Sequence, residues 1–535
     1  MYKAGFVLGL IGQGGLCLRR YAAPTHALRV DYPKRKSFRE FLQKTYSKKT
    51  TNKGKIKMKK QAFNPYLPSY EYVPDGEPHI FGDRVYVYGS HDRFNANKFS
   101  ANDYVCWSAP VDDLSDWKYE GVIWKKSDVP DKPPLILKSL YAPDVVEGAD
   151  GRYYLYYFVG NSGKIGVAVC DTPAGEYKYY GKVRYPDGTI LGEGPNESDL
   201  WQFDPGVFRD DDGRIYLYTG MAPKSPTIFT AFKRANVNGA MGVELCEDMV
   251  TMKLPIKRIA KSVRSSQGTD YLGHEFFEAS SMRKFNGKYY FIYSSYNGYE
   301  LCYATSDSPL GEFKYGGVLV SIGDLGISEK ALNYLGNTHG SVDYINGKYY
   351  VFYHRQTNRH CYSRQACAEQ IFMDENGDFK QAEVTSCGLN GKPLDGFGEY
   401  EARIACHLYS KKGTYFYSAV KRPKGCHPYF TQKGKDREEN GSQYIANFCD
   451  GATAGFKYFN FDDAKIIAVK VSGNANGVIT VKDGVLGKTV AKINVRGQKK
   501  PQYFAAALTI ENGIKPLYFT FNGKGSLNFI SFKLY

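Results

Sequence analysis

Five ionisable residues stand at similar points of a repeated pattern: Glu77, Asp144, Asp204, Glu278 and His339. Each precedes, by five to nine residues, a glycine that opens a tyrosine-rich run: Gly82, Gly151, Gly213, Gly287 or Gly347. One such acid alone reads as a turn cap at a strand end. Four carboxylates and an imidazole aimed at one axis are costly to crowd unless a reaction or a cation compensates. Two carboxylates in a cleft rimmed by aromatics can cleave a glycosidic bond. One is protonated to assist the leaving group, and the other is ionised to activate water or attack. Glu278, flanked by Phe276, Phe277 and Ala279, is the expected acid, because apolar surroundings raise a carboxyl pKa. Glu77, in PDGEPH, is the expected base. Asp75, two residues earlier and on the same face of a regular strand, is its rival. Asp204 is expected to orient the acid and tune its proton affinity.

These residues need elements that bring them together. GDRVYVYGS, GRYYLYYF, GRIYLYTG, GKYYFIYSS and GKYYVFYHR follow one another at spacings of 60–74 residues. Asp or Asn sits beside the glycine in every copy, which suits the positive φ of tight hairpins. Four strands of about five or six residues with their turns fill roughly 60–70 residues, one propeller blade. Helix-period patterns are scarce between the copies. The expected fold is therefore all-β, with a five-bladed β-propeller over residues 61–392 whose innermost strands line a central channel. In blade 1, residues 102–117 are expected to supply the outer strands and residues 118–138 a polar connection. Contact between residues 61–70 and 365–385 is expected to close the ring. After residue 392 the repeat stops. KIIAVKVSG, GVITVKDG, VAKINVRG, LYFTFNG and LNFISFKLY, with Gly/Asn turns between them, read as short strands of a β-sandwich (jelly roll) over residues 393–535.

Charge excludes a nucleic-acid role for the folded part. Of the net +16, residues 1–60 carry +14, from 16 Lys/Arg against Asp31 and Glu40, which leaves +2 for the other 475 residues. This basic N-terminal extension is expected to be disordered or non-native, and Met58 offers a start for the folded part. Its short apolar patch from Val7 to Ile11 makes a poor secretory signal. No apolar run reaches about 18 residues, so no transmembrane helix is expected. The 11 cysteines are scattered without a CxxC pair, which favours free thiols in a reducing, cytoplasmic setting.

The stretches PDGEPHIFGDRVYVYGSHD, YAPDVVEGADGRYYLYYF, FDPGVFRDDDGRIYLYTG, FEASSMRKFNGKYYFIYSS and THGSVDYINGKYYVFYHR together resemble glycoside hydrolase family 43, the five-bladed propeller glycosidases. The resemblance covers about residues 61–385. It implies an inverting mechanism, with the pKa modulator at Asp204 of FDP and the general acid at Glu278. It implies that His339 helps hold a cation near the axis, usually Ca2+ and often through water. It also implies that Arg364, in YSRQ, reaches the sugar. Where the family has an Asp-Pro base, this chain has Glu77-Pro78. Residues 393–535 more weakly resemble a family 6 carbohydrate-binding module, through ARIACHLYS and YIANFCDGATAGFKYFNF.

Trp107 is a candidate for the pocket wall, with a core role equally open, and His91 and Asp92 for its rim. Asp144 reads as a channel residue behind the catalysts, His354 as a core histidine, and Asp210 to Asp212 as a solvated turn. The expected activity is exo-acting hydrolysis of hemicellulose-type oligosaccharides, by an α-L-arabinofuranosidase or a β-D-xylosidase. A sugar-binding propeller without catalysis, acting as a lectin does, is the rival.

Overall fold

The structure, a computed structural model, describes residues 61–130, 139–160, 162–193, 202–224, 239–418, 422–437 and 441–535. The basic extension expected over residues 1–60 lies outside them.

Five four-stranded antiparallel sheets follow one another along the chain, each ordered as in the sequence. Blade 1 holds β1 (Glu77–Phe81), β2 (Arg84–Tyr88), β3 (Tyr104–Pro110) and β4 (Lys118–Trp124). Blade 2 holds β5 (Leu140–Glu147), β6 (Tyr153–Val159), β7 (Ile165–Cys170) and β8 (Lys178–Lys182). Blade 3 holds β9 (Gly206–Arg209), β10 (Ile215–Thr219), β11 (Met241–Leu245) and β12 (Met252–Arg258). Blade 4 holds β13 (Phe276–Phe285), β14 (Lys288–Ser295), β15 (Glu300–Ser306) and β16 (Lys314–Ser321). Blade 5 holds β17 (Val342–Ile345), β18 (Lys348–Thr357), β19 (His360–Met373) and β20 (Phe379–Lys380). The five repeat glycines all have positive φ, between 64° and 85°, at the turn joining the first two strands of a blade. One expectation fails. Residues 118–124 are not a connection but the fourth strand of blade 1, whose exposed edge position permits its polar composition.

The second strand of each blade is apolar on both faces because it is buried on both. Leu155 and Tyr157 pack toward blade 1, while Tyr154 and Tyr156 pack toward blade 3. Five such clusters fill the five gaps between neighbouring blades. The ring closes as expected. Tyr66 N–H donates to the Ala366 carbonyl (3.3 Å), and Asn64 bonds the Ala368 backbone in both directions. At the axis, Gly76 of the first blade bridges Gly340 of the last. A Cβ on Gly340 would lie 1.9 Å from the Phe352 carbonyl oxygen, so only glycine lets this segment pack so close to β18 of its own blade.

The C-terminal strands are β21 (Leu394–Asp395), β22 (Gly398–Glu401), β23 (His407–Tyr409), β24 (Tyr429–Thr431), β25 (Tyr444–Cys449), β26 (Thr453–Phe461), β27 (Ile466–Lys482), β28 (Thr489–Arg496), β29 (Gln502–Ala507) and β30 (Gly513–Leu534). They form one curled ten-stranded sheet closed over a phenylalanine-rich core, consistent with the expected sandwich. KIIAVKVSG and GVITVKDG are one strand, β27, and LYFTFNG and LNFISFKLY are one strand, β30. Their glycines are not turns. Cβ atoms on Gly477 and Gly525 would lie 2.3 Å from Asn522 O and 2.0 Å from Asn474 O, so these glycines let the paired strands bend in close contact. Phe448, Phe456 and Phe459, in the stretch resembling a carbohydrate-binding module, are core residues. Cys426 and Cys449 form a disulfide, against the expectation of free thiols, and the other eight cysteines of the described residues are free. The hairpin of β24 and β25 explains this disulfide. Tyr429 faces Ala446 at the outer end of the strand pairing, which brings the segments carrying Cys426 and Cys449 together.

The propeller and the C-terminal sheet pack as one unit. A buried cluster joins them: Lys457 Nζ meets Asp324 Oδ2 (2.8 Å) and Glu383 Oε1 (2.9 Å), and His407 Nε2 meets Asp324 Oδ2 (2.6 Å). No helix of the described residues is long and apolar enough to cross a membrane, which leaves strands aside.

Candidate active site

Glu278 lies near the start of β13, where the pairing with β14 slips on both sides of it. The next residue, Ala279, has φ 72°. Such a bulge turns a side chain out of the strand's regular alternation. Asp204, just before β9, has φ 46°, and Asp75, just before β1, has φ 59°. Non-glycine residues adopt this conformation only where the surroundings enforce it, and such strain gathers at functional sites. Here it marks Asp75 and Asp204 themselves and the neighbour of Glu278.

His339 links two tiers of carboxylates. Its Nδ1 is 3.5 Å from Asp204 Oδ2, and its Nε2 is 3.8 Å from Glu77 Oε1. Burial opposes its charge, but Glu77, Asp204 and Asp75 outweigh burial and raise its pKa to about 9. Burial pushes Glu278 up to about 7; His339 and Arg364 oppose the rise and the Asp75 charge adds to it. Asp204 is raised well above the usual range by burial and by the charges of Glu278 and Asp75, against His339. Glu278 and Asp204 thus titrate as a pair that retains a proton near neutrality.

Asp75 behaves oppositely. Burial would raise it, but Arg364 Nη1 donates to its Oδ1 (2.8 Å) and holds it well below the usual carboxylate range. Asp92 anchors that arginine through Nε and Nη2 (2.9 and 3.0 Å), and Phe99 lies 4.8 Å from the guanidinium. His354, the expected core histidine, donates from Nε2 to the Asn337 carbonyl (2.8 Å), so its Nδ1 accepts the Asp75 backbone N–H (3.3 Å). It fixes the backbone that carries the acid.

Glu77 has different surroundings. Its Oε2 accepts from Arg283 Nη2 (3.0 Å) and Ser281 Oγ (2.9 Å) of blade 4, and Ser281 Oγ also meets Ser341 Oγ of blade 5 (2.7 Å). Asp144 likewise joins blades, with His79 of blade 1 on Oδ1 (2.6 Å) and Val207 N–H of blade 3 on Oδ2 (2.7 Å). Both acids are at most 1% exposed. They tie inner strands together beneath Asp75, Asp204 and Glu278.

Two expected pocket residues are not brought to this group. His91 is 1% exposed, with Nδ1 on the Asp103 carbonyl (2.8 Å). Trp107 packs in the core between blades 5 and 1, and its Nε1 donates to Glu71 (2.8 Å). Asp92 is present, as the partner of Arg364 and not as a rim residue. Asp210 to Asp212 form a turn, as expected, although Asp210 also binds Lys284 and Tyr289 of blade 4. Arg283 was missed. A cation inside the apolar run of β13 was a signal that a buried acid must face it. Phe99 sits in an irregular loop and gave no signal.

For a cation, the relevant atom is Glu77 Oε1, which is buried without a hydrogen-bond partner. Glu77, His79 and Asp144 place ligand atoms within 4.8 Å of one another, but His79 and Asp144 already bond each other. Calcium takes about six to eight oxygen ligands. These residues therefore fit a calcium ion that keeps most of its water.

The sequence profile described as glycosyl hydrolases family 43 matches residues 74–379, all five blades. The chain belongs to glycosyl hydrolase family 43. This family 43 enzyme is 50% identical over 483 residues to a xylosidase/arabinosidase of Thermoclostridium stercorarium, covering 89% of this chain and 99% of that one. It is 31% identical over 339 residues to xylosidase/arabinosidase 43A of Humicola insolens, covering 57% and 95%. A solved family 43 β-xylosidase/α-arabinofuranosidase from a compost metagenome, in complex with xylotriose and in calcium-free form, is 28% identical. It covers 59% of this chain and 96% of that chain, with a TM-score of 0.47. The protein is thus an inverting glycoside hydrolase.

Proposed function

We propose that this enzyme releases single α-L-arabinofuranosyl or β-D-xylosyl units from hemicellulose-type oligosaccharides. Glu278 is the general acid. Its proton, retained to about pH 7, passes to the glycosidic oxygen as the bond to the anomeric carbon breaks. Asp75, in place of Glu77, is the base that takes a proton from the attacking water. Asp204 shares the proton equilibrium of Glu278 and orients it, and Arg364 keeps Asp75 ionised. A hydrated calcium ion would be held by Glu77 Oε1 and, through water, beside His339, and would supply positive charge on the axis. One observation carries this reading. Two neighbouring carboxyl groups have their proton affinities driven apart, one upward by burial and one downward by a guanidinium.

The test is a panel of aryl glycosides, with the anomer of the first-formed sugar followed by NMR. The expected result is hydrolysis of aryl arabinofuranosides or xylosides with inverted configuration, lost in Glu278→Gln. A protein that binds these sugars without releasing them would be the lectin-like alternative.

A further inference from the structure

An exo-acting pocket encloses one sugar, so the rest of the substrate must lie outward, past the general acid. From the residue beside that acid, partly and largely exposed aromatic rings run from one part of the fold into the other. Phe277, adjacent to Glu278, meets Tyr296 edge-on at 5.7 Å. Tyr296 is 42% exposed, yet its loop is braced. Ser295 Oγ, Asn297 Nδ2 and His274 Nδ1 all bond Glu300 Oε2, at 2.9 to 3.0 Å. Two residues on, a Cβ placed on Gly298 would touch the Phe416 ring at 3.4 Å. Phe416 belongs to the C-terminal part and is 50% exposed. A bridge to Leu335 of the propeller holds it, flanked by backbone bonds from Leu335 N–H to Tyr415 O (3.0 Å) and from Tyr417 N–H to Leu335 O (2.7 Å). Tyr415, 43% exposed, stands edge-on to His427 at 4.6 Å.

Large apolar rings fixed in place and left in water mark a binding surface. Rings offer flat apolar faces to the C–H faces of sugars, and tyrosine adds a hydroxyl. We propose that Phe277, Tyr296, Phe416 and Tyr415 form a stacking track for the leaving-group sugars, and that the natural substrate is a polysaccharide main chain carrying the unit to be removed. The track starts at the acid that protonates the bond to that chain, which fixes its side of the scissile bond. The C-terminal sheet therefore takes part in substrate binding through one segment at its junction with the propeller, not through a separate sugar site. This inference rests on the glycosidase reading above.

The test compares kcat/KM on polymeric arabinoxylan with kcat/KM on an aryl arabinofuranoside or xyloside, for wild type, Tyr296→Ala, Phe416→Ala and the double variant. Each single change is expected to lower the polymer-to-aryl ratio by roughly three- to tenfold, mainly through KM, and Phe416→Tyr to restore it. Equal losses on both substrates, or none, would overturn the track. Melting curves identify a variant that is merely unfolded, and Phe416→Tyr then decides by keeping or losing the ratio. If wild type cleaves no aryl glycoside, the glycosidase reading fails, and calorimetry with xylohexaose still judges the track: wild type must bind more tightly than Phe416→Ala.

Discussion

Asp75 and Glu77 are two residues apart and have opposite surroundings. Asp75 is held ionised by Arg364 beside Glu278 and Asp204, whereas Glu77 is committed to Arg283 and Ser281. Asp75→Asn should lower kcat by about 10²- to 10⁴-fold with KM little changed, the loss typical of a missing general base. Glu77→Gln should act on stability instead, costing about 3–5 kcal/mol in denaturant titrations because Arg283 would lose its buried counter-charge. The pH profile follows from the same groups. Glu278 is raised, so it carries its proton at lower pH, and kcat/KM should fall as pH rises through about 7. Asp75 is depressed, so it stays ionised through the ordinary carboxylate range, and the acid limb should lie below that range. His339 lowers both Glu278 and Asp204. His339→Gln should therefore move the alkaline limb to higher pH, as read from kcat/KM on an aryl glycoside.

At the scale of elements, each acid is aimed by a local irregularity of its strand. The bulge of β13 turns Glu278, and positive φ turns Asp75 and Asp204 just ahead of β1 and β9. Regular strands would alternate these side chains between the two blade faces. The hairpin of β24 and β25 adds a covalent tie, its antiparallel pairing bringing the segments of Cys426 and Cys449 together. The disulfide closes a loop across a separation of 23 residues. Cys426→Ser should therefore lower stability by roughly 2–4 kcal/mol, measured as a shift of the denaturant midpoint, without changing the aryl-glycoside pH profile.

At the scale of the molecule, the propeller and the C-terminal sheet share a buried cluster, not a flexible linker. Burial would raise Asp324, but the His407 hydrogen bond and the Lys457 charge hold it below its ordinary range. A depressed carboxylate contributes stability above its unfolded pKa, about 3.9, and loses it as pH falls through the folded value. Asp324→Ala should cost about 3–5 kcal/mol near neutrality, and its loss of stability below about pH 4 should be shallower than that of wild type. Thermal unfolding across pH would show both.

What the sequence determined by itself is what depends on local period and turn chemistry. Five Gly/Asx turns ahead of tyrosine-rich strands set the blade count, and the acids ahead of those turns on blades 3 and 4, Asp204 and Glu278, were placed at the axis because strand position is a local property. Only the tertiary structure decided between Asp75 and Glu77, because their partners lie 289 and 206 residues away along the chain. The same holds for Arg283, for the Cys426–Cys449 pair and for the glycines of β27 and β30. A glycine admits both a turn and a close strand contact, and only the strand that packs beside it shows which is needed.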